Sequence, residues 1–144
     1  MGAVVGDLVR VHLGAPEASW LWREEFASVP LCVSHTRLAR RTTLRRATGT
    51  WILDSGAYTE VARCGGWRTS PESYAEAVHR YVEQIGGLTW IAPQAWMCEP
   101  QALAATGLTV EDHMRATVAS VVRLRELLAG VVTVIPEIQG WTVA

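Results

Sequence analysis

Asp54, Ser55 and Gly56 follow directly on the apolar run Trp51-Ile52-Leu53. A carboxylate, a hydroxyl and a residue without a Cβ are thereby set side by side where a short strand would end. A carboxylate so placed can pass a proton, and the glycine lets a flat ligand approach the backbone. The same three residues also make an ordinary turn, so Asp54 reads either as a turn cap or as an acid/base group. Two further strand-like runs, "LTWIAP" and "VVTVIPEIQG", finish in Pro93-Gln94 and in Glu137-Ile138-Gln139-Gly140. In parallel α/β folds the carboxyl ends of strands face the ligand, so several such ends would share one mouth.

Other chemistry is thinner. "TRLARRTTLRR" gathers Arg37, Arg40, Arg41, Arg45 and Arg46 with no acidic residue among them, a set able to neutralise phosphates or simply to form a solvated basic loop. Cys32, Cys64 and Cys98 are odd in number and far apart, without a Cys-x-x-Cys pair or a Cys/His cluster, so neither a disulfide framework nor a metal site is expected. His12, His35, His79 and His113 are scattered and carry no expectation of catalysis; Cys98 and Met114 read as packed residues.

The elements that must hold these residues alternate along the chain. "LVRVHL" (8–13), "PLCVSH", "TWILD", "LTWIAP" and "VVTVIPEIQG" read as strands, the last with an apolar run continuous enough for a strand covered on both faces. "PEASWLWREEFA" reads as a short helix or turn. From Ser70, the residues Tyr74, Ala77, Val78, Tyr81, Val82 and Ile85 recur at helical spacing, with Ser70 as N-cap, Pro71 in the first turn, and Gly86-Gly87 as the stop. A longer helix lies within 108–130. Thr109 and Asp112 have capping-box spacing there, and Met114, Val118, Val121, Leu124 and Leu128 form the expected inner stripe. Strands separated by amphipathic helices indicate parallel β-α-β units in a single domain spanning 1–144. With 49% hydrophobic and 19% charged residues over 144 positions and a net charge of −1, the chain is globular rather than disordered, and its total charge announces no nucleic acid. No apolar stretch is long enough for a membrane span, and a soluble, cytoplasmic protein without membrane partners is expected.

Taken in order, "LDSGAYTE", "SPESYAEAVHRY", "IGGLTWIAPQAWMCEP", "TGLTVEDH" and "VIPEIQGWT" resemble the tRNA-guanine transglycosylase superfamily, and most of all its DNA-acting branch, which exchanges guanine in DNA for a 7-deazaguanine base. The resemblance runs from about Leu13 to Thr142, and "VPLCVSHTRLARR" is similar to the branch's early strand and basic segment. It implies a partial (β/α) TIM-type barrel, about the first half. It implies Asp54 as general acid/base touching the incoming base, Ser55 and Gly56 as base-pocket residues, and Gln139 with Gly140 as readers of the purine edge. An amide and a carboxylate together can meet a purine's fixed donors and acceptors, and Tyr58 or Trp96 are available for stacking. The implied reaction is a double displacement at the sugar C1′: an aspartate expels guanine, a glycosyl-enzyme forms, and the deazaguanine replaces it. The target base must first leave the stack. No cofactor or metal is implied; the partners are DNA, alternatively tRNA, and a 7-deazaguanine base.

The sequence departs from the family pattern at Ala95, where a base-recognising aspartate is expected, in "GAYTE", which replaces Gly-Gly-Phe-Gln of the tRNA enzymes, and at Glu137, where an apolar residue is expected. The family nucleophile lies beyond the Gln-Gly pair. The expectation is therefore an N-terminal portion inactive alone, forming a homo-oligomer or joining a complementing C-terminal half. Two other classes fit the residues: a glycoside hydrolase half-barrel pairing Asp54 with Glu137 or Glu99, and a non-catalytic nucleic-acid binding module built on Arg37 to Arg46.

Overall fold

The computed structural model describes residues 10–139. Its five strands are β1 (Leu13–Gly14), β2 (Leu31–Ser34), β3 (Trp51–Asp54), β4 (Leu88–Ile91) and β5 (Thr133–Val134). All neighbours pair in parallel, and their spatial order is their order in the sequence. Each connection must therefore carry the chain back along the sheet before the next strand can start. The order never reverses, unlike that of a doubly wound sheet, and the winding advances in one direction only. Among the described residues the sheet stays open, with β1 and β5 at its edges.

Four helices accompany the sheet: α1 (His35–Leu38), α2 (Pro71–Gln84), α3 (Pro100–Thr106) and α4 (Val110–Leu127). Alternation along the strands divides their side chains between two faces. Leu31, Val33, Trp51, Leu53 and Ile91 join Tyr74, Val78, Tyr81 and Ile85 from α2 and its cap, and Leu124 and Leu128 from α4 and its cap, in one buried core. Leu53 is fully buried there, and Leu53→Ala would cost about 3 kcal/mol. The intervening positions, Cys32, Ile52, Asp54 and Trp90, point to the opposite face.

Local signals decide where the helices begin. The Ser70 hydroxyl accepts the Ser73 amide at 3.1 Å, and Pro71 opens α2. At α4 the capping box is complete, with the Asp112 amide donating to Thr109 Oγ1 at 3.1 Å and the Thr109 amide to Asp112 Oδ2 at 3.1 Å. Gly87 ends the turn after α2 at φ 69°, where a Cβ would lie 2.5 Å from the Gly49 carbonyl oxygen.

Several elements differ from the sequence expectation. The first strand comprises Leu13–Gly14 among the described residues, and its earlier positions 8 and 9 lie outside them. "PEASWLWREEFA" forms two 3-10 turns, Ala18–Trp22 and Glu24–Phe26, separated by extended Arg23, and Trp20 stacks on Phe26 at 4.1 Å. On α4 the expected stripe holds at Val121, Leu124 and Leu128, but over the first turns the inner face is displaced: Met114 is 46% and Val118 63% exposed, whereas His113, Thr117 and Ser120 are buried. The chain leaving β4 has backbone donors and acceptors without strand partners, and these polar residues meet them. Trp96 N donates to Thr117 Oγ1 at 2.9 Å, Gln94 N donates to Ser120 Oγ at 3.1 Å, and His113 Nδ1 lies 2.6 Å from the Met97 carbonyl oxygen. The last strand is also not covered on both faces, since Thr133 and Ile135 are exposed while Val134 is buried.

Candidate active site at the carboxyl ends of the strands

Asp54 ends β3, paired in register with Ser34 at the end of β2. Its side chain emerges on the face away from the helices, in a recess of about 200 Å3 walled by Cys32, Ile52, Trp90 and Ala92, which Glu137 enters from beyond β5. The walls are apolar and the two carboxylates are the charged groups, an arrangement suited to a flat ligand with hydrogen-bonding edges. Glu137 is solvent-exposed as a residue, yet its carboxyl is held above the ordinary range, by desolvation first and then by the Asp54 charge. Cys32 is likewise pushed up by desolvation and by Asp54, which keeps it a neutral thiol wall rather than a nucleophile.

Asp54 Oδ2 accepts the Gly56 amide at 3.1 Å, so the turn and the recess share one carboxylate. Gly56 has φ 85°, and a Cβ there would stand 2.8 Å from Thr36 Cγ2. Glycine is thus required both by the left-handed backbone and by the close packing of α1 through Thr36. Ser55 is buried at 2% exposure. The chain then widens into a single π-helical turn, Tyr58–Ala62, a distortion often found beside functional residues. This turn aims Glu60 at the segment before α2: its carboxylate accepts from Arg68 N at 2.6 Å, Thr69 N at 3.0 Å and Thr69 Oγ1 at 2.5 Å. Desolvation opposes ionisation of Glu60, but these hydrogen bonds outweigh it and hold the carboxyl below its usual range.

Beneath the strand ends, the Tyr74 hydroxyl donates to the Ala92 carbonyl at 3.0 Å. His35 Nδ1 lies 3.1 Å from the Tyr81 hydroxyl. Burial lowers the His35 pKa, with Arg80 acting the same way and Glu60 and Asp54 opposing. Tyr81 is pushed up to about 12 by desolvation, so its hydroxyl keeps its proton beside the imidazole.

The remaining sequence candidates scatter. Gln139 Nε2 donates to Glu137 Oε2 at 3.2 Å, but Gln139 lines a separate groove with Met114 and Val118; Gly140 lies outside the described residues. Ala95 is fully buried, and its carbonyl accepts Trp67 Nε1 at 3.1 Å. Glu99 does not line the recess, and its Oε2 is buried without a partner among the described residues. Tyr58 is 52% exposed with Arg63 over its ring, and Trp96 lines a different cleft. The five arginines are all exposed. Arg37 lies on α1 at the end of β2, the Arg41 guanidinium rests over Trp22 at 5.3 Å, and Arg46 Nη1 reaches Gly86 at the far end of α2. They occupy the β2–β3 crossover, which runs the length of the sheet.

Sequence reasoning overlooked Ile52, Trp90 and Ala92 as recess walls. Register supplies the missing signal, since Ile52 pairs with Cys32 on one side and Trp90 on the other, all on the Asp54 face. Among the described residues, no group of three or more His, Cys, Asp or Glu is placed to hold a metal ion, and no helix is long and apolar enough to cross a membrane. Against known proteins, a family model described as "DpdA: DeoxyPurine in DNA protein A" matches residues 9–144. No curated protein and no solved structure matches.

Proposed function

The chain belongs to the DpdA family, DeoxyPurine in DNA protein A, of the deazapurine DNA modification branch of the tRNA-guanine transglycosylase superfamily, and from that premise we propose that the Asp54 recess binds the exchanging base. The family acts in deazapurine modification of DNA. In this reading the chain supplies the acid/base and base-recognition part of a transglycosylase that replaces guanine in DNA with a 7-deazaguanine base. Asp54 gives a proton to the departing guanine as its bond to C1′ breaks, then takes one from the incoming base as the new C1′–N bond forms. A carboxylate nucleophile holds the sugar between the two steps.

The observation that carries the reading is the Asp54 carboxylate at a strand end, standing over the apolar walls Ile52, Trp90 and Ala92. Singly advancing parallel strands support a barrel that further β/α units complete beyond the open edge at β5, by a second copy or a complementing half. Glu137 supports a second reading in which the carboxylate pair needed for glycosyl transfer lies within this chain, Glu137 acting as nucleophile.

Equilibrium binding of a 7-deazaguanine base to the wild type, Asp54→Asn and Glu137→Gln tests the base pocket. Asp54→Asn keeps a turn acceptor for Gly56 and should weaken binding about tenfold, the loss of a charged hydrogen bond. Equal binding by wild type and Asp54→Asn would remove the base-pocket reading. A covalent adduct with guanine-containing DNA that forms with the wild type and not with Glu137→Gln would establish the second reading over the first.

A further inference from the structure

A second cleft opens at the same end of the sheet but on the other side of it, between the segment leading into α2 and one face of α4. It encloses about 480 Å3. Two indoles line it, and both are fixed before any ligand arrives: Trp67 Nε1 donates to the Ala95 carbonyl at 3.1 Å, and the Trp96 ring meets His113 edge-on at 5.4 Å. The α4 side is built from small residues, Ala116 and Ala119, which leave the space unfilled. Gln94 lines the same cleft at 2% exposure. Its Nε2 donates to the Thr69 carbonyl at 2.7 Å, and its Oε1 accepts no hydrogen bond among the described residues. At the rim, Arg68 is exposed and forms no salt bridge among the described residues.

An aromatic-lined slot with an unengaged amide oxygen asks for a flat ring bearing N–H, and the flexible cation beside it asks for a nearby negative charge. A nucleotide meets both demands, and the volume falls within the range of small-ligand pockets. We propose that this cleft holds an unstacked nucleotide of the DNA strand flanking the one whose base enters the Asp54 recess. The base lies against the indoles with an N–H on Gln94 Oε1, and its phosphate meets Arg68. The inference rests on the DNA-acting reading of the Asp54 site. It also gives Glu60 a task, since the three hydrogen bonds that Glu60 accepts set the position of Arg68 and Thr69.

Fluorescence anisotropy of a labelled short single-stranded oligodeoxynucleotide with the full chain tests the assignment. Ala119→Leu fills the slot from an exposed helical position and should leave the melting temperature unchanged. It should weaken binding about tenfold, the scale of one lost base–aromatic stack. The deficit should vanish when the oligonucleotide carries abasic sites, and Arg68→Ala should lower the salt slope by about one. Ala119→Leu binding as tightly as the wild type would overturn the cleft, and a concurrent loss with Asp54→Asn would leave the recess reading intact. Failure of the wild type to bind any oligonucleotide would overturn both. Displacement of the strand by equimolar dAMP would overturn the flanking-strand assignment in favour of a free nucleotide.

Discussion

Asp54 divides its oxygens between two tasks, one fixing Gly56 and the other available to the recess. That division makes Asp54→Asn the informative substitution, because the turn survives while the charge is lost. Asp54→Ala removes both and should additionally destabilise the chain by about 1 kcal/mol, read from the melting transition. Glu137 differs in kind. Its carboxyl is desolvated and faces the Asp54 charge, so Asp54→Asn should bring the Glu137 pKa back toward the usual carboxylate range, observable by NMR titration of the side-chain carboxyl. A Glu137 titration unaffected by Asp54→Asn would show that the two groups do not share a site.

The Glu60 carboxylate ties the π-helical turn to the α2 entry by hydrogen bonds. Glu60→Gln keeps the size but weakens three hydrogen bonds to a charged acceptor, and should cost about 2 kcal/mol while loosening Arg68 and Thr69, seen as faster amide exchange at both residues. The elements themselves were largely legible in the sequence where the deciding interactions are local. Ser70 with Pro71, and Thr109 with Asp112, mark helix starts through bonds made within a turn. The face of α4 was legible in its second half, where Val121, Leu124 and Leu128 are buried, but not in its first, where His113, Thr117 and Ser120 are buried by partners about twenty residues away, in the chain leaving β4. Met114 and Val118 keep helical periodicity but find no cover among the described residues. Asp54 was legible as a strand-end carboxylate. Trp90 was not, since a bulge between Trp51 and Ile52 shifts its pairing and only the observed register puts it on the Asp54 face. The arginine run could not be placed from composition, because a crossover spreads it along the sheet.

Among the described residues the molecule is a parallel sheet covered by helices on one face, with β1 and β5 as unpaired edges and an exposed apolar row of Met114, Val118 and Val122 on α4. Edges of this kind invite a further strand, which is why assembly or a complementing half accompanies the proposed function. Acid should undo the fold in two stages. The folded pKa of His35 is lowered, so the unfolded chain binds the extra proton, and stability falls as pH drops from about 6.5 toward that lower value. Glu60 is also lowered, so its contribution, present above its unfolded value of about 4.3, is lost as pH falls further through its folded value. Melting temperatures measured from pH 8 down to pH 3 check both parts, with Glu60→Gln flattening the lower stage and deepening the upper one, because its charge no longer opposes the lowering of the His35 pKa. The recess itself is tested most directly by NMR of the tryptophan indole N–H groups during titration with a 7-deazaguanine base. The Trp90 resonance should move while that of Trp67, on the other side of the sheet, stays in place. A stationary Trp90 with wild-type protein at saturating base would contradict the assignment of the Asp54 recess as the base-exchange site.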